Sequence, residues 1–400
     1  MFIKDSNIAI VHDWFLKKSF GGSEKVTLII NDLLNNKYSN PDIFSLTSNF
    51  DNLKINSYKQ TKINTSFIQS LPFGKNNVQK YLPFLPYAIE QFDLRKYDLI
   101  ISSSHAFAKG VLTSPDQLHI SYVHTPMRYA WDQMHTYLEK SSLSKYGLEI
   151  PLRFMLYKLR EWDFYSSQRL DYIIANSNFT SKRIKKFWGL DSEVIHPPVN
   201  TKRFKYNESR EDYYLSVNRL VPNKRIDLLI KAFNRLKLPL IIIGDGPERI
   251  KLEKMSDTNI KFLRKIPDSE VEKYMSKCKA FIYAGIEDFG IAPVEAMASG
   301  SPVIAYGKGG ILDTVNCLNK NKKEKVPNGL LFKKQTHEDI IDTINWFEDK
   351  KLWRQFEPKV LNQYSQNFSI ENFIKKFDFA INKAWENFNK KNTQIYTKNI

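Results

Sequence analysis

Short apolar runs alternate with stretches of helical spacing along most of this chain, which predicts parallel strands linked by helices. In the first half the runs are Asn7 to His12, Ile43 to Leu46, Leu99 to Ile101, Ile120 to Val123 and Tyr172 to Ala175. Between them, Val26, Ile29, Ile30, Leu33 and Leu34 recur at helical spacing after Gly21 and Gly22, and Val78 to Tyr97 reads as a further helical stretch. In the second half strands are expected at Tyr214 to Val217, Leu240 to Ile243, Lys261 to Leu263, Ala280 to Ala284, Val303 to Tyr306 and Leu330 to Phe332. Helices fit each gap except the last, Asp313 to Asn328, and KRIDLLIKAFNRLK puts Ile226, Leu229, Ile230 and Phe233 on one face. Such alternation implies an α/β fold with two doubly wound parallel sheets.

The two halves meet in IHPPVNTKRF, where adjacent prolines suppress regular structure and make a stiff connector. This places the boundary near Phe204, giving a first domain over 1–204 and a second over 205–370. A last helix repeats Phe373, Ile374, Phe377, Ile381, Trp385 and Phe388, and the polar tail from Asn389 is expected to fray.

Composition narrows the class. Four hundred residues with 42% hydrophobic content suffice for two cores, and no apolar run approaches the roughly 20 residues of a membrane span. The opening MFIKDSNIAIVHDW lacks a signal-peptide apolar core, so a cytoplasmic protein is expected. Two cysteines, Cys278 and Cys317, are too few for a disulfide framework or a metal site. The net charge of +17 suits phosphate-rich partners, whether nucleic acid, anionic lipid or small anions. The Lys and Arg are spread along the chain with no zinc knuckle or RNA-binding signature, so nucleic acid is not the expected partner.

The richest chemistry lies in Lys279 to Gly310, where a strand, a glycine-bearing acidic turn and a short helix precede a second strand. Pro293 is read as the first helical position and Gly300 as the stop, so the turn is expected from Gly285 to about Ala292. Unpaired amides near Gly290 and Ile291 would face an anion there. Glu287 and Glu295, eight positions apart, would flank those amides with hydroxyl-accepting groups. A nucleotide sugar has that layout, a diphosphate between two sugars. Taken singly, a dipole-offsetting Glu295 and a solvated Glu287 explain as much. Arg219 and Lys224 bracket the turn after the first strand of the same half, where one guanidinium fork and one ammonium can clamp a diphosphate. The glycines of GDGPER, Gly244 to Arg249, are read as steric at least as readily as ligand-binding.

In the first half, SYVHTPMRYAWDQ carries His124 just past a strand end and crowds Arg128, Tyr129, Trp131 and Asp132 into one loop, a makeup suited to sugar stacking. His105 lies past another strand end and is the weaker candidate. The stretch Ser141 to Arg169 has helical apolar spacing that suits a membrane or, more simply, the domain core. In TSKRIKKFWG, Lys182, Arg183, Lys185 and Lys186 beside Phe187 and Trp188 read either as an interfacial patch or as a solvated basic face.

The Glu287-to-Glu295 spacing, with its intervening glycine and proline, resembles the Glu-seven-residues-Glu motif of retaining glycosyltransferase family 4, and the likeness extends over nearly the whole chain. The resemblance implies a GT-B fold, two Rossmann-like domains facing across a cleft, with the last helix returning to the first, acceptor-binding domain. It implies that Glu287 contacts the donor sugar and Glu295 the ribose, and that Phe289, Gly290 and Ile291 supply diphosphate amides. It assigns Arg219 and Lys224 to the diphosphate, Leu263 and the backbone to Lys265 to the base, and the Gly21–Gly22 loop to the donor phosphate and acceptor. It places His124 close to the transferred sugar, and the wording around His124 to Trp131 is similar to the mannosyltransferase branch that builds O-antigen-type polysaccharides. The expectation is a retaining, metal-independent hexosyltransferase using GDP-mannose, with UDP-linked sugars open. The acceptor, held with help from Arg128, Tyr129 and Trp131, would be a glycan on a polyprenyl diphosphate at the inner membrane face, where the positive charge favours peripheral contact. No cofactor or metal is expected, since no Asp-x-Asp pair is placed to hold an ion. A glycoside hydrolase using the two glutamates, a sugar-binding module and a nucleic-acid-binding protein are the rival readings.

Overall fold

A computed structural model describes residues 3–50, 53–54, 60–140, 147–318 and 326–397. The chain divides into two compact units, residues 1–196 with 374–400, and residues 197–373. The division falls between His196 and Pro197, ahead of Phe204, which is buried in the second unit beside Val199.

The first unit is built on a seven-stranded sheet. Its strands are β1 (Ile8–Phe15), β2 (Asp42–Ser48), β5 (Ile63–Thr65), β6 (Leu99–Ser104), β7 (Leu118–Val123), β8 (Tyr172–Ala175) and β9 (Glu193–Val194), in the order β5-β2-β1-β6-β7-β8-β9, all parallel. A separate ribbon pairs β3 (Leu53–Lys54) with β4 (Gln60–Thr61). β1 runs past His12 to Phe15, and β6 runs on through Ser102–Ser104. Polar residues end an apolar run without ending a strand, because neighbours on both sides keep the ladder paired. The helix expected over Val78 to Tyr97 is a 3-10 stretch, Val78–Phe84, and one short α-helix, Leu85–Glu90. Pro83 and Pro86 account for the break, since neither can donate the backbone bond a continuous helix needs.

α1 (Gly22–Lys37) follows β1, α2 (Glu149–Ser167) precedes β8, and α3 (Asn178–Trp188) follows it. The Ser177 hydroxyl caps α3 and Gly189 ends it at φ 74°. Arg183 and Trp188 are buried in α3, with Arg183 paired to Asp132 at 2.6 Å. The interfacial patch expected there therefore loses two of its members to the interior.

The second unit carries β10 (Tyr214–Val217), β11 (Leu240–Ile243), β12 (Ile260–Leu263), β13 (Ala280–Tyr283), β14 (Val303–Tyr306) and β15 (Gly329–Phe332), parallel, in the order β12-β11-β10-β13-β14-β15. Strands such as LIII and VIAY are apolar on both sides because the sheet has a core on each face. α4 (Ile226–Leu236) packs Leu229, Ile230 and Phe233 into one of them, each fully buried side chain contributing roughly 1.5–3 kcal/mol. A one-turn helix, Ile311–Thr314, occupies part of the gap read as helix-free, and residues 319–325 of that gap lie outside the described residues.

The last helix spans Ile370–Thr397. Its backbone is helical well beyond Asn389, where fraying was expected. Phe377 and Ile381 are buried in the first unit, Phe377 with its ring 6.0 Å from Tyr122, and Lys383 pairs with Glu193 at 3.1 Å.

Candidate active site

In the second sheet the strand order reverses direction between β10 and β13, with β11 and β12 on one side and β14 and β15 on the other. Turns leaving such neighbouring strands splay apart and leave a crevice beyond the carboxyl ends. The turn after β10 carries Arg219, which is exposed and makes no ion pair among the described residues, and ends in a 3-10 turn, Pro222–Lys224. Arg225 then takes φ 53°, unusual for a non-glycine residue, and forks onto Asp227 at 3.0 and 3.1 Å to start α4.

The turn after β13 ends at Gly290, whose φ of 94° and ψ of 82° set it as the N-cap of α5 (Ile291–Ala298). The helix thus begins two residues before the expected Pro293, which is its third residue. A proline there loses nothing, because amides of a first turn have no helical carbonyl to meet. The amides of Ile291 and Ala292 remain as donors at the positive end of the helix. The Phe289 ring is buried against Phe368 at 5.6 Å, so that residue offers a ligand its backbone.

Lys224 pairs with the Glu287 carboxylate, and the Tyr283 hydroxyl donates to the same oxygen at 2.5 Å while lying 3.2 Å from the Lys224 ammonium. Tyr283 escaped sequence reasoning because it closes an apolar strand and looks like one more core aromatic. Glu295 bonds elsewhere, to Arg203 at 3.1 Å, and Arg203 also reaches Asp268 at 3.0 Å and lies over the Phe204 ring. Arg203, a linker residue with no local signal, joins Glu295 only through the fold. The two glutamates have separate partners, Glu287 before the helix and Glu295 at its fifth residue, a turn later than the expected first-turn position.

Glycines hold these turns together. A Cβ on Gly310 would stand 2.1 Å from the Asp288 carbonyl, and the Gly310 amide donates to the Glu287 carbonyl at 2.8 Å, so the turn after β14 braces the Glu287 turn. A Cβ on Gly244 or Gly246 would strike the Asn218 or Leu220 carbonyl at 1.9 and 2.3 Å, making the GDGPER glycines steric. The Leu263 carbonyl, expected near the base, accepts the Gly244 amide at 3.0 Å.

The first sheet reverses between β1 and β6, and its crevice is differently furnished. Asp13, fully buried, accepts amides from His105 at 2.7 Å, Ala106 at 3.2 Å, Ala108 at 3.0 Å and also Phe107, holding the turn after β6 as a cap. Burial alone would raise its pKa, but the His105 and His12 charges and those amides outweigh it and hold it below the usual carboxylate value. His12 donates through Nδ1 to the Ser103 carbonyl at 2.9 Å, since that oxygen can only accept. The Thr27 hydroxyl of α1 lies 2.7 Å from Ser103 Oγ, which lies 2.8 Å from His124 Nε2. Burial, reinforced by His12 and His105, pushes His124 well below 6.5, so its imidazole is neutral at pH 7. His124 is thereby joined to α1, β1 and β6 by one polar network.

The remaining first-unit candidates part company. The Gly21 amide donates to the Glu24 carboxylate at 2.9 Å, and Gly22 opens α1 beside that buried acid. Trp131, half-buried, gives its indole N–H to buried Asp163 at 2.7 Å and stacks on Phe187 at 4.8 Å. Asp163 also pairs with fully buried Lys109 at 3.1 Å. The Tyr129 hydroxyl is buried with no hydrogen-bond partner among the described residues, and Arg128 is half-buried beside it. Among the described residues no three His, Cys, Asp or Glu side chains are grouped to hold a metal ion.

Two family profiles match end to end: Glycosyltransferase Family 4 over residues 20–203, and Glycosyl transferases group 1 over residues 199–367. The chain is a family 4 glycosyltransferase. It is 24% identical to an alpha-1,3/1,6-mannosyltransferase ALG2 from Kluyveromyces lactis, over 95% of this chain and 85% of that one. It is 32% identical to the O-antigen chain mannosyltransferase RfbU of Salmonella typhimurium over a shorter match, 35% of this chain and 43% of that protein. Among solved structures, Anabaena HepE in complex with UDP and glucose aligns with TM-score 0.64 at 16% identity over 94% of this chain and 99% of that one. Sucrose-phosphate synthase from Thermosynechococcus elongatus aligns with TM-score 0.70 at 16% identity over 95% and 99%. These neighbours share the GT-B fold of the family 4 enzymes.

Proposed function

We propose that this family 4 glycosyltransferase moves mannose from GDP-mannose, with retention and without a metal ion, to a glycan carried on a polyprenyl diphosphate. The observation that carries the donor half is the second-unit crevice, where Arg219, Lys224 and the amides opening α5 present positive charge at a strand-order reversal. Charge on a departing nucleoside diphosphate is stabilised there by fixed donors, the work that a divalent ion performs in other transferases. Glu287, steadied by Tyr283, orients the donor sugar, and Glu295, steadied by Arg203, takes the ribose hydroxyls. The bond from the anomeric carbon to the β-phosphate oxygen breaks, the acceptor hydroxyl bonds that carbon on the same face, and its proton passes to the departing phosphate oxygen. Neutral His124 suits a hydrogen bond to a sugar hydroxyl, and neither it nor Glu287 serves as a glycosidase acid or base. The mannosyltransferase names of the sequence relatives support the choice of sugar.

Thermal denaturation with GDP, GDP-mannose, UDP and UDP-glucose tests the donor, because a ligand bound only by the native state raises its melting temperature. Stabilisation by the guanosine compounds is expected. Stabilisation by the uridine pair alone overturns the donor assignment, and loss of turnover in EDTA overturns metal independence.

A further inference from the structure

Ser103, near the end of β6, lies between two histidines. Its carbonyl accepts the Nδ1–H of His12 at 2.9 Å, and its hydroxyl oxygen is 2.8 Å from Nε2 of His124. The same hydroxyl is 2.7 Å from Thr27 Oγ1, which in turn lies 2.9 Å from the Ser23 carbonyl one turn back along α1. His12, Thr27 and Ser103 are fully buried, and His124 is nearly so.

Three contacts therefore run in line, from His124 to Ser103, from Ser103 to Thr27 and from Thr27 to Ser23. A carbonyl only accepts, so the contact at Ser23 is filled by the Thr27 hydroxyl hydrogen. Having no second hydrogen, Thr27 must accept from Ser103, and Ser103, its own hydrogen spent, must accept from His124. The imidazole proton accordingly sits on Nε2. In the opposite order Thr27 would donate to Ser103 and Ser103 to Nε2, and the Thr27 and Ser23 oxygens would face each other with no hydrogen between them, in an interior where an unmade bond is most costly. Nor does the His12 ring, 3.1 Å from Thr27, reverse the order, because its Nδ1–H belongs to the Ser103 carbonyl. Burial, reinforced by His12 and His105, keeps the His124 imidazole from taking a second proton near neutral pH.

We propose that Thr27 and Ser103 are positioning residues that hold His124 as its Nε2–H tautomer and leave Nδ1 as a lone pair, an acceptor that selects a hydroxyl on the ligand. Among the described residues only Nε2 of that ring has a hydrogen-bond partner. A nitrogen that can only accept distinguishes a sugar hydroxyl, which brings a hydrogen, from a fluorine or an ether oxygen in its place, which brings none. The inference deepens the proposed reading of His124 as a sugar contact and rests on it for the ligand. The tautomer itself is measurable with no ligand present.

Long-range proton–nitrogen NMR of the full chain carrying isotope-labelled histidine tests the relay, the His124 signals being those lost in His124→Asn. A protonated Nε2 and a bare Nδ1 are expected. Thr27→Val removes the oxygen that takes the Ser103 hydrogen, so Ser103 gives it to Nε2 and the His124 proton should move to Nδ1, whereas Thr27→Ser should keep the parent's tautomer. In steady-state transfer from GDP-mannose, Thr27→Val should lose roughly tenfold in kcat/KM, the worth of one hydrogen bond, and Thr27→Ser should recover it. A parent ring protonated on Nδ1 overturns the proposal by itself, whether or not Thr27→Val folds. An unchanged tautomer in Thr27→Val, or an equal loss of rate in Thr27→Ser, overturns it as well. Nε2 protonation in a chain that does not use GDP-mannose upholds the relay and sinks the donor reading alone.

Discussion

The two sheets furnish the same topological position differently. Where the first reverses, buried carboxylates occupy the turns: Asp13 takes four backbone amides and Glu24 takes the amide before α1. Where the second reverses, Arg219 and the Lys224–Glu287 pair stand beside the start of α5, whose first amides meet no helical carbonyl. One architecture, built twice, thus carries a self-satisfied polar network in one unit and, in the proposed reading, an anion site in the other. The difference lies in whether the protein or a ligand supplies the negative charge for the turn amides. The proposed donor site belongs with the second kind.

The largest effect expected is on the cationic side. Lys224→Ala should lower transfer by about 10²–10³, the loss typical of one fixed donor facing a developing charge, with the melting temperature little changed. Steady-state rates with calorimetry check it, and an intact rate would mean that the second crevice does not hold the diphosphate. On the acidic side the loss should be of folding instead. Asp13→Ala strands buried amides, so denaturant titration should show a loss of roughly 2–3 kcal/mol while donor binding by the second unit persists. Glu295→Gln should raise the donor KM about tenfold, the value of one charge-assisted bond, with kcat nearly kept. Arg203→Ala should reproduce part of that rise if it positions Glu295, and a kcat loss without a KM change would refute that role.

The smallest effect is a pH slope confined to the first unit. Burial lowers His12 and His124 below 6.5 and pushes His119 down to about 3. A histidine depressed in the fold is protonated more readily when unfolded, so its stabilising contribution is complete above pH 6.5 and is lost progressively as pH falls below it. Melting curves from pH 8 to 5 should show that decline, shallower in a His119→Asn variant. An unchanged slope would mean that buried neutral histidines do not set it.

Local patterning carried most of the fold. The run Leu240–Ile243 is bounded by Pro239 and Gly244, poor strand residues, so its limits appear in the chain itself. Prediction stopped short at β1 and β6, where His12, Asp13 and three serines are polar yet buried, with the partners of His12 and Asp13 about 90 positions away and those of Ser102 and Ser103 on β1, α1 and β7 or just past it. The partners of Trp131, Asp163 and Phe187, come from other helices, and a sugar-stacking loop has the same composition as a packed one.

The amino-acid order determined the two-sheet α/β plan, the family motif from Glu287 to Glu295 and the cation pair after the first strand of the second unit, because each depends on spacing along a single turn or helix. Tertiary structure alone decided that Tyr283 and Arg203 steady the two glutamates and that Gly310 braces the Glu287 turn. Those facts depend on which distant segments the sheets bring together, and a side chain's chemistry cannot announce its neighbours.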